Sequence, residues 1–227
     1  PGTQMKWYEY WKEARLQWHT DLGMPAHKYR FHDHVKLAHY ADAALDIEFE
    51  FPFGFKELEG IHSRTDFDLT RHQEFSKKKQ QYFDNDIDEA TGKPYGNYIP
   101  YVVETSIGLD RMFLAVLSNA YEEEKITKED GSTDERVVLH IPAKIAPVKL
   151  AILPLVKKDG LPEIARELMD SCKGQFKCFY EEKDAIGKRY RRQDAIGTPF
   201  CVTIDHQTKE DQTVTIRYRD AMTQERV

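Results

Sequence analysis

The sequence predicts an α+β part with an antiparallel sheet, followed by an α/β domain with a mixed, mainly parallel five-stranded sheet. Apolar and acidic residues alternate over residues 44–51 and alternate again over 55–62, the pattern of an antiparallel hairpin. From residue 149 onward, short apolar runs are separated by helical patterns of about 12 residues, which is typical of βαβ units. We therefore place a domain boundary between residues 143 and 144.

The first part contains helices and strands that turn residues separate. Tryptophans and charges at helical spacing predict its first helix, which Gly23 and Pro25 end. Residues 84–96 are expected to form a loop or a surface hairpin, and the acidic residues 121–135 a solvated loop. The regular elements predicted here are helices over 4–22, 66–75 and 108–117, and strands over 44–51, 55–62, 77–83 and 98–104.

The second part follows a linker that Pro142 and Pro147 bracket. Its last two strands are separated only by residues 205–212, so they should pair antiparallel. The elements predicted here are strands over 149–153, 176–180, 200–204 and 213–218, and helices over 161–172 and 185–197.

Composition limits the classes to which the chain can belong. Of its 227 residues, 40% are hydrophobic and 12% aromatic, so it can form a core and global disorder is excluded. No apolar run reaches the roughly 18 residues of a membrane span, and we expect no signal peptide. Cys172, Cys178 and Cys201 have neither a paired disulfide framework nor zinc-ligand spacing. We predict reduced thiols and a cytoplasmic location.

The net charge of −6 is the sum of two unlike parts. Residues 1–146 carry 18 Lys and Arg against 26 Asp and Glu, whereas residues 147–227 carry 15 against 13. The small positive excess of the second part does not establish nucleic-acid binding, so the arrangement of its charges has to decide.

Residues 104–111 end a strand and open an apolar helix. Glu104 could fix a cationic group, and Arg111 could hold a phosphate oxygen or stack on a base. The helix N-terminus adds a positive potential for an anion. The alternative is a capped helix with a structural Glu–Arg ion pair.

Two glutamates of the predicted hairpin form a second candidate site. In a regular strand Glu57 and Glu59 point to the same face as Phe55 and Ile61. Buried carboxylates are costly unless they are paired, so these two could hold an ammonium group, a ribose or a divalent metal. The alternative is a sheet with one wet face, on which both glutamates are solvated.

Histidines with nearby carboxylates are also candidates for a metal site, namely His27, His32, His34 and His39 with Asp33 and Asp42. A His-Asp-His stretch can hold a metal ion. None of these residues has the HExxH spacing or a strong zinc pattern. We interpret them as surface or structural histidines.

A basic segment runs from Gly187 to Asp194. Its lysine, arginines and tyrosine could contact phosphates and stack on an unpaired base. The alternative is a solvated helix face. The sequence contains no phosphate-binding P-loop, no nucleophile elbow and no CxxC pair.

Three of these segments resemble one family. Residues 104–111, Glu-Thr-Ser-Ile-Gly-Leu-Asp-Arg, are similar to motif 3 of class II aminoacyl-tRNA synthetases. Residues 55–62 resemble the E-L-x-G-I strand of glycyl-tRNA synthetases. Residues 185–200 resemble the anticodon-binding domain that the glycine, histidine, proline and threonine enzymes share. The three blocks, in this order, make the chain similar to dimeric glycyl-tRNA synthetases from about Trp7 to Val227.

The resemblance implies a two-step reaction. The carboxylate of glycine attacks the α-phosphate of ATP to give glycyl-adenylate and pyrophosphate, and the glycyl group then passes to the 3′-terminal ribose of tRNA(Gly). Mg²⁺ is expected to bridge the phosphates, no tightly bound cofactor is expected, and the full-length enzyme should be a homodimer. Catalysis should rest mainly on positioning and electrostatic stabilisation.

The resemblance also assigns residues to roles. The catalytic residues would be Glu104 and Arg111. Glycine would be bound by Glu104, Thr105, Ser106, Ile107 and Gly108. ATP would be bound by Glu57, Leu58, Gly108, Leu109, Asp110 and Arg111, with Glu57 in contact with Mg²⁺ or the ribose. The tRNA would be bound by Lys188, Arg189, Arg191, Arg192 and Gln193.

The chain departs from the family pattern in two ways. Thr105 stands where the family commonly has proline, and no segment matches motif 1 or motif 2. Because the chain also starts Pro1-Gly2-Thr3, we expect a C-terminal fragment. Residues 1–143 would be the end of the catalytic domain and 144–227 the anticodon-binding domain. Such a fragment should bind tRNA without forming adenylate, because the motif 2 arginine is missing.

Two other functions remain open. The chain could be a non-catalytic RNA- or DNA-binding paralogue of a class II synthetase, although Glu104, Ser106, Gly108 and Arg111 are intact. It could also come from a synthetase for another amino acid, against which the E-L-E-G-I strand argues.

Overall fold

The chain forms two compact units in a computed structural model that describes residues 2–127 and 131–227. One unit contains the residues up to Asp21 together with Pro25–Ala115, and the other contains Leu22–Met24 together with Val116–Val227. The boundary between residues 143 and 144 stays a prediction. Among the described residues, no helix combines the length and the apolar surface that a membrane crossing needs.

The first unit is built on a four-stranded antiparallel sheet, which confirms the predicted fold class of this part. Its strand order is β1-β2-β3-β6. The strands of the unit are β1 (Tyr29–Asp33), β2 (Ala43–Phe51), β3 (Gly54–Ser63), β4 (Tyr82–Asp88), β5 (Lys93–Tyr98) and β6 (Val103–Ile107). The helices are α1 (Gln4–Asp21), α2 (Phe67–Ser76) and α3 (Leu109–Ala120), which continues into the second unit.

The alternation in β2 separates an apolar face from a polar one. Leu45, Ile47 and Phe49 are fully buried, whereas Asp46 lies between two of them and remains partly exposed. Since successive side chains of a strand point to opposite faces, the sheet buries one face in the core and leaves polar groups on the other.

A β-bulge at Leu58 changes the phase of β3. Ile47 pairs with Glu59 and Glu48 with Glu57, so Leu58 is the extra residue. Glu59 is buried and accepts hydrogen bonds from Arg15 Nε (2.5 Å) and His19 Nε2 (2.9 Å). Burial alone would raise the pKa of Glu59, but these hydrogen bonds and charges hold it below its ordinary value.

Glu57 and Glu59 therefore do not share a site. The expectation of a common face is wrong, because an extra residue in one strand exchanges the two faces beyond it. Glu57 is exposed and pairs with Arg111, whereas Glu59 is held by α1.

Two strands begin later than their sequence patterns indicate. Lys77 adopts a left-handed conformation (φ 58°) and ends α2, so β4 begins at Tyr82 rather than at residue 77. The strand predicted over 98–104 begins only after Pro100, because proline has no N–H for the ladder. Thr105 and Ser106 consequently lie inside β6. β4 and β5 form the surface hairpin expected near residues 84–96.

The acidic segment 121–135 is not a loop. It forms the antiparallel hairpin of β7 (Tyr121–Thr127) and β8 (Thr133–Leu139), and residues 128–130 lie outside the described part. Glu124 accepts hydrogen bonds from Arg136 Nε (2.5 Å) and His140 Nε2 (2.9 Å), and the bond from Arg136 lowers the pKa of Glu124. The many acidic residues of this segment predicted a solvated loop. They are compatible with a strand because carboxylates such as that of Glu124 are paired with basic side chains.

The second unit contains the predicted mixed sheet of five strands, in the order β10-β9-β11-β12-β13. β9 pairs in parallel with β10 and β11, and β11 pairs antiparallel with β12, as expected from the short connection between them. β12 also pairs antiparallel with β13. The strands are β9 (Leu150–Pro154), β10 (Cys178–Tyr180), β11 (Phe200–Ile204), β12 (Thr215–Tyr218) and β13 (Gln224–Arg226). The helices are α4 (Leu161–Cys172), α5 (Ile186–Ala195) and the short α6 (Thr208–Asp211). The sequence analysis missed β1, β13, α6 and a 3-10 turn over Ala26–Lys28.

Candidate functional site

Arg111 and Glu57 form the centre of the candidate site in the first unit. Arg111 projects from the first turn of α3, and Glu57 comes from β3 next to the bulge. Arg111 Nη1 lies 3.1 Å from Glu57 Oε2 and donates to the Glu57 carbonyl oxygen at 3.0 Å. Both side chains are about half exposed (55% and 52%), so the pair is open to solvent and to ligands.

An open cleft of about 610 Å³ surrounds this pair. All six residues that the resemblance assigns to ATP line it, and Ser106 and Ile107 do so as well. The lining residues are Glu57, Leu58, Ser106, Ile107, Gly108, Leu109, Asp110 and Arg111. Residues far apart in sequence therefore meet at one place, with the N-terminus of α3 among them.

A second, more apolar cleft of about 370 Å³ adjoins the first and shares Glu57 and Arg111 with it. Phe51 and Phe53 lie in this second cleft, and their rings stack with centroids 5.2 Å apart. Phe51 is buried and Phe53 is exposed, so the Phe53 ring beside the guanidinium offers a surface that suits a flat, uncharged ring system. The sequence analysis did not single out these two phenylalanines. Phe51, Phe53 and Phe55 occur at every second position, and this spacing could have indicated an aromatic cluster.

Glu104 lies further along β6, where its partners are Arg64 and His62. Arg64 Nη1 donates to Glu104 Oε2 at 2.7 Å and also binds Asp68. The hydrogen bond to Asp68 raises the pKa of Arg64, and the pKa of Asp68 is lowered in return. Arg64 and Asp68 were missed by the sequence analysis, although their i, i+4 spacing was visible.

The residues predicted to bind glycine lie on two faces of β6. Glu104 and Ser106 pair with His62 and Gly60 of β3 and share one face. Thr105 lies between them in the strand, so its side chain points to the opposite face. A ligand beside Glu104 and Ser106 can therefore be contacted by the backbone at Thr105 but not by its side chain.

In the second unit, α5 carries the residues predicted to bind tRNA, and two of them are buried. Arg189 and Gln193 each have only 1% exposure. Arg189 donates to the carbonyl oxygens of Pro154 (2.6 Å) and Leu155 (3.1 Å), and burial lowers the pKa of its guanidinium. Gln193 accepts a hydrogen bond from Thr198 Oγ1 at 2.8 Å. The assignment of Arg189 and Gln193 to tRNA contact is therefore corrected, because RNA cannot reach buried side chains.

The other three predicted residues of α5 lie at or near the surface. Lys188 is exposed. Arg191 Nη2 lies 2.6 Å from Asp134, and Arg192 pairs with Glu181 (2.7 Å) and Asp184 (3.0 Å). Partly exposed pairs of this kind contribute about 0–1 kcal/mol each, so phosphates can compete for these arginines.

Asp194 is the centre of a buried ionic cluster behind α5. Arg217 donates to both of its carboxylate oxygens (2.8 and 3.0 Å), and Arg136 of β8 donates to Oδ2 at 2.9 Å. Asp194 is fully buried, and the side chains of Arg136 and Arg217 are 1% and 8% exposed. Arg219 continues the cluster by donating to the carbonyl oxygens of Ile141 (2.9 Å) and Gly197 (2.8 Å).

Comparison with known proteins shows what the chain is similar to. Residues 149–227 match the family model of the anticodon binding domain. The chain is 51% identical over 229 residues to a glycine–tRNA ligase of Treponema denticola, covering 100% of this chain and 49% of the relative. It is 52% identical over 228 residues to a glycine–tRNA ligase of Chlorobaculum tepidum, covering 100% of this chain and 46% of the relative. The chain thus spans about half the length of the relatives it matches.

Similar solved structures support the fold. A Giardia lamblia prolyl-tRNA synthetase in complex with prolyl-adenylate matches 99% of this chain and 42% of its own, with a TM-score of 0.64 and 15% identity. A Cryptosporidium parvum prolyl-tRNA synthetase matches 99% of this chain and 44% of its own, with a TM-score of 0.61 and 14% identity. The chain is therefore similar to glycine–tRNA ligases along its whole length and has the fold of class II aminoacyl-tRNA synthetases, and its residues 149–227 match the anticodon-binding-domain family.

Proposed function

We propose that this chain supplies part of the adenylate-forming site and the anticodon-binding domain of a glycine–tRNA ligase. Such a ligase activates glycine with ATP and transfers it to the 3′ end of tRNA(Gly). The observation that carries the proposal is the cleft around Arg111 and Glu57 in a chain about 50% identical to glycine–tRNA ligases along its whole length.

The Arg111–Glu57 pair would recognise ATP and its Mg²⁺. A half-exposed ion pair is weak, so substrate groups can replace each partner. Arg111 would take a γ-phosphate oxygen or stack on the adenine, and the stacked Phe51 and Phe53 rings beside it favour a place for the base. The exposed carboxylate of Glu57 fits Mg²⁺, which prefers hard oxygen ligands and usually remains bound to the substrate phosphates.

Glu104 and Ser106 would bind glycine from the same face of β6. Arg64 holds the Glu104 carboxylate in place at 2.7 Å, which orients it toward the ammonium group of the amino acid. Glycine has no side chain to grip, so selectivity must come from charge contacts and from exclusion of larger amino acids. Ser106 lies opposite Gly60, which has no side chain of its own, and the ring of His62 lies over that position.

The proposal is tested by glycine-dependent ATP–pyrophosphate exchange. The full-length protein that contains this chain should catalyse exchange with glycine and not with proline, threonine or histidine. The 227-residue chain alone should not, because none of its segments matches motif 2. Exchange with another amino acid would overturn the glycine assignment. No exchange by the full-length protein, combined with tight RNA binding, would favour the non-catalytic paralogue.

A separate prediction concerns tRNA binding by α5. Replacing Lys188, Arg191 and Arg192 together by alanine should weaken binding of tRNA(Gly) to the 227-residue chain. Each lost phosphate contact should reduce the slope of log affinity against log salt by about 1. Filter binding over a range of salt concentrations measures both quantities. Lys173→Ala removes a surface lysine paired with Asp170 on another helix and should leave the slope unchanged. If log affinity fell with log salt at the same slope for the triple variant and for Lys173→Ala, α5 would not face the RNA.

A further inference from the structure

Two histidines and a carboxylate meet on the polar face of the first unit's sheet. His34 follows β1, Asp46 lies on β2 and His62 lies on β3. Their potential ligand atoms all lie within 4.8 Å of one another, and His34 Nε2 is 2.9 Å from Asp46 Oδ2. The three side chains are 35%, 14% and 23% exposed, so they remain accessible without being free in solution.

Gly60 leaves room for the His62 ring beside Asp46. It lies in the centre of the sheet, paired with Asp46 on one side and Ser106 on the other. A Cβ atom at this position would lie 3.2 Å from His62 Nε2 and Cε1, and 3.7 Å from Asp46 Oδ1. Any other residue would therefore press on the His62 ring and fill the approach to both groups.

Glu104 is the carboxylate next to the His62 ring. Its Oε2 lies 4.0 Å from His62 Nδ1, on the side of the ring away from Nε2. Metal-bound histidines commonly direct their second ring nitrogen toward a carboxylate, which fixes the tautomer and makes the ligand more basic. Arg64 holds Glu104 in this position beside His62.

Asp46 differs from other carboxylates of the chain in its partner, which is a histidine and not an arginine. Glu48 is bound by Arg30 (2.5 Å) and His32 (3.0 Å), so its charge is neutralised by a guanidinium. The cluster of Glu122, Glu124 and His140 likewise contains a carboxylate held by an arginine, Arg136. Asp46 instead pairs with His34, itself a potential ligand.

We propose that His34, Asp46 and His62 bind a divalent ion of the zinc class. Two imidazole nitrogens and one carboxylate are a common ligand set for Zn²⁺, and three protein ligands leave a coordination position open for water or a substrate. The ion would lie beside Glu104 and Ser106, but its binding does not depend on the proposed ligase function.

The proposal is tested by metal titration of the 227-residue chain with Zn²⁺ and with Co²⁺ as a spectroscopic probe. We expect one ion per chain and a Co²⁺ visible spectrum without a thiolate charge-transfer band, because the cysteines are not ligands. His62→Gln and Asp46→Asn should each weaken Zn²⁺ binding by about tenfold or more, and Gly60→Ala should weaken it as well.

Matched variants make the outcome decisive. His32→Gln removes a more exposed histidine of the same segment, and His140→Gln disrupts the second cluster; both should leave the affinity unchanged. Far-UV circular dichroism verifies that each variant folds. The proposal is overturned if the chain binds no Zn²⁺, if His140→Gln abolishes binding, or if His62→Gln and Asp46→Asn both bind normally. A thiolate band in the Co²⁺ spectrum would assign the ion to cysteines instead.

Discussion

Replacing Asp194 by alanine is expected to lower the free energy of unfolding of the second unit by about 3–5 kcal/mol. The substitution leaves the guanidinium groups of Arg136 and Arg217 buried without their shared carboxylate. Arg136 retains Glu124, but its Nη2 atom has no hydrogen-bond partner among the described residues even with Asp194 in place. The buried guanidinium of Arg217 is then left without a carboxylate, and loss of the partner of a buried charge is among the few changes that reach this magnitude.

Hydrogen exchange at the amides of β11 and β12 measures the loss directly, because these strands contact the cluster. Arg191→Ala is the matched control: it lies on the same helix and removes a partly exposed pair with Asp134, which is worth about 0–1 kcal/mol. The three tryptophans, Trp7, Trp11 and Trp18, lie in the first unit, so their fluorescence verifies that this unit stays folded. Equal destabilisation by both substitutions would contradict the assigned role of Asp194.

Replacing Arg111 by alanine should reduce kcat/KM for ATP in glycine-dependent exchange by about 100- to 1,000-fold in the full-length protein. The reason is the position of its guanidinium, which lines the cleft at the start of α3 and forms an ion pair with the exposed Glu57. Arg111→Lys should recover little of the activity, because an ammonium group cannot form a planar fork or stack on a ring as a guanidinium does.

The control for this experiment is Arg71→Ala, which removes a surface pair with Glu74 on α2. It should leave kcat/KM within about twofold, as expected of an exposed ion pair. Separate titrations of the two substrates add a further check, since the effect of Arg111 should appear with ATP and leave the KM for glycine unaffected. Normal exchange by Arg111→Ala would contradict the proposed nucleotide site.

The main elements of the fold could be predicted from local sequence patterns, because each of these elements buries one face and exposes the other. The alternation of Leu45 and Ile47 with Asp46 fixed both the strand and its faces. The bulge at Leu58 could not be predicted, because an extra residue leaves the pattern E-L-E unchanged while it moves Glu59 into the core. The hairpin after α3 was missed for a different reason: its carboxylates are neutralised by partners such as Arg136, which lie elsewhere in the sequence.

The candidate site could be predicted where its residues are continuous in sequence. It was harder to predict in α5, where the position of each residue around the helix decides whether its side chain is buried. The segment 104–111 and Glu57 were found as motifs, and the fold brings Arg111 to Glu57. In α5 the basic composition suggested that all the arginines are exposed. Ile186, Arg189, Tyr190 and Gln193 follow helical spacing and form one inward face, which the charge of Arg189 concealed.

The contacts of Arg136 and Ile141 affect how this protein can be divided for experiments. Residues 149–227 match the anticodon-binding-domain family. Two of the groups that bind their buried side chains lie before residue 149: Arg136 donates to Asp194, and the carbonyl oxygen of Ile141 accepts from Arg219. Gly197 has φ +80°, and a Cβ there would lie 2.8 Å from Ile141, so the two segments pack without spare room. A recombinant anticodon-binding module cut at the edge of the signature would lack part of its own interior. One that starts near Val116 would keep it.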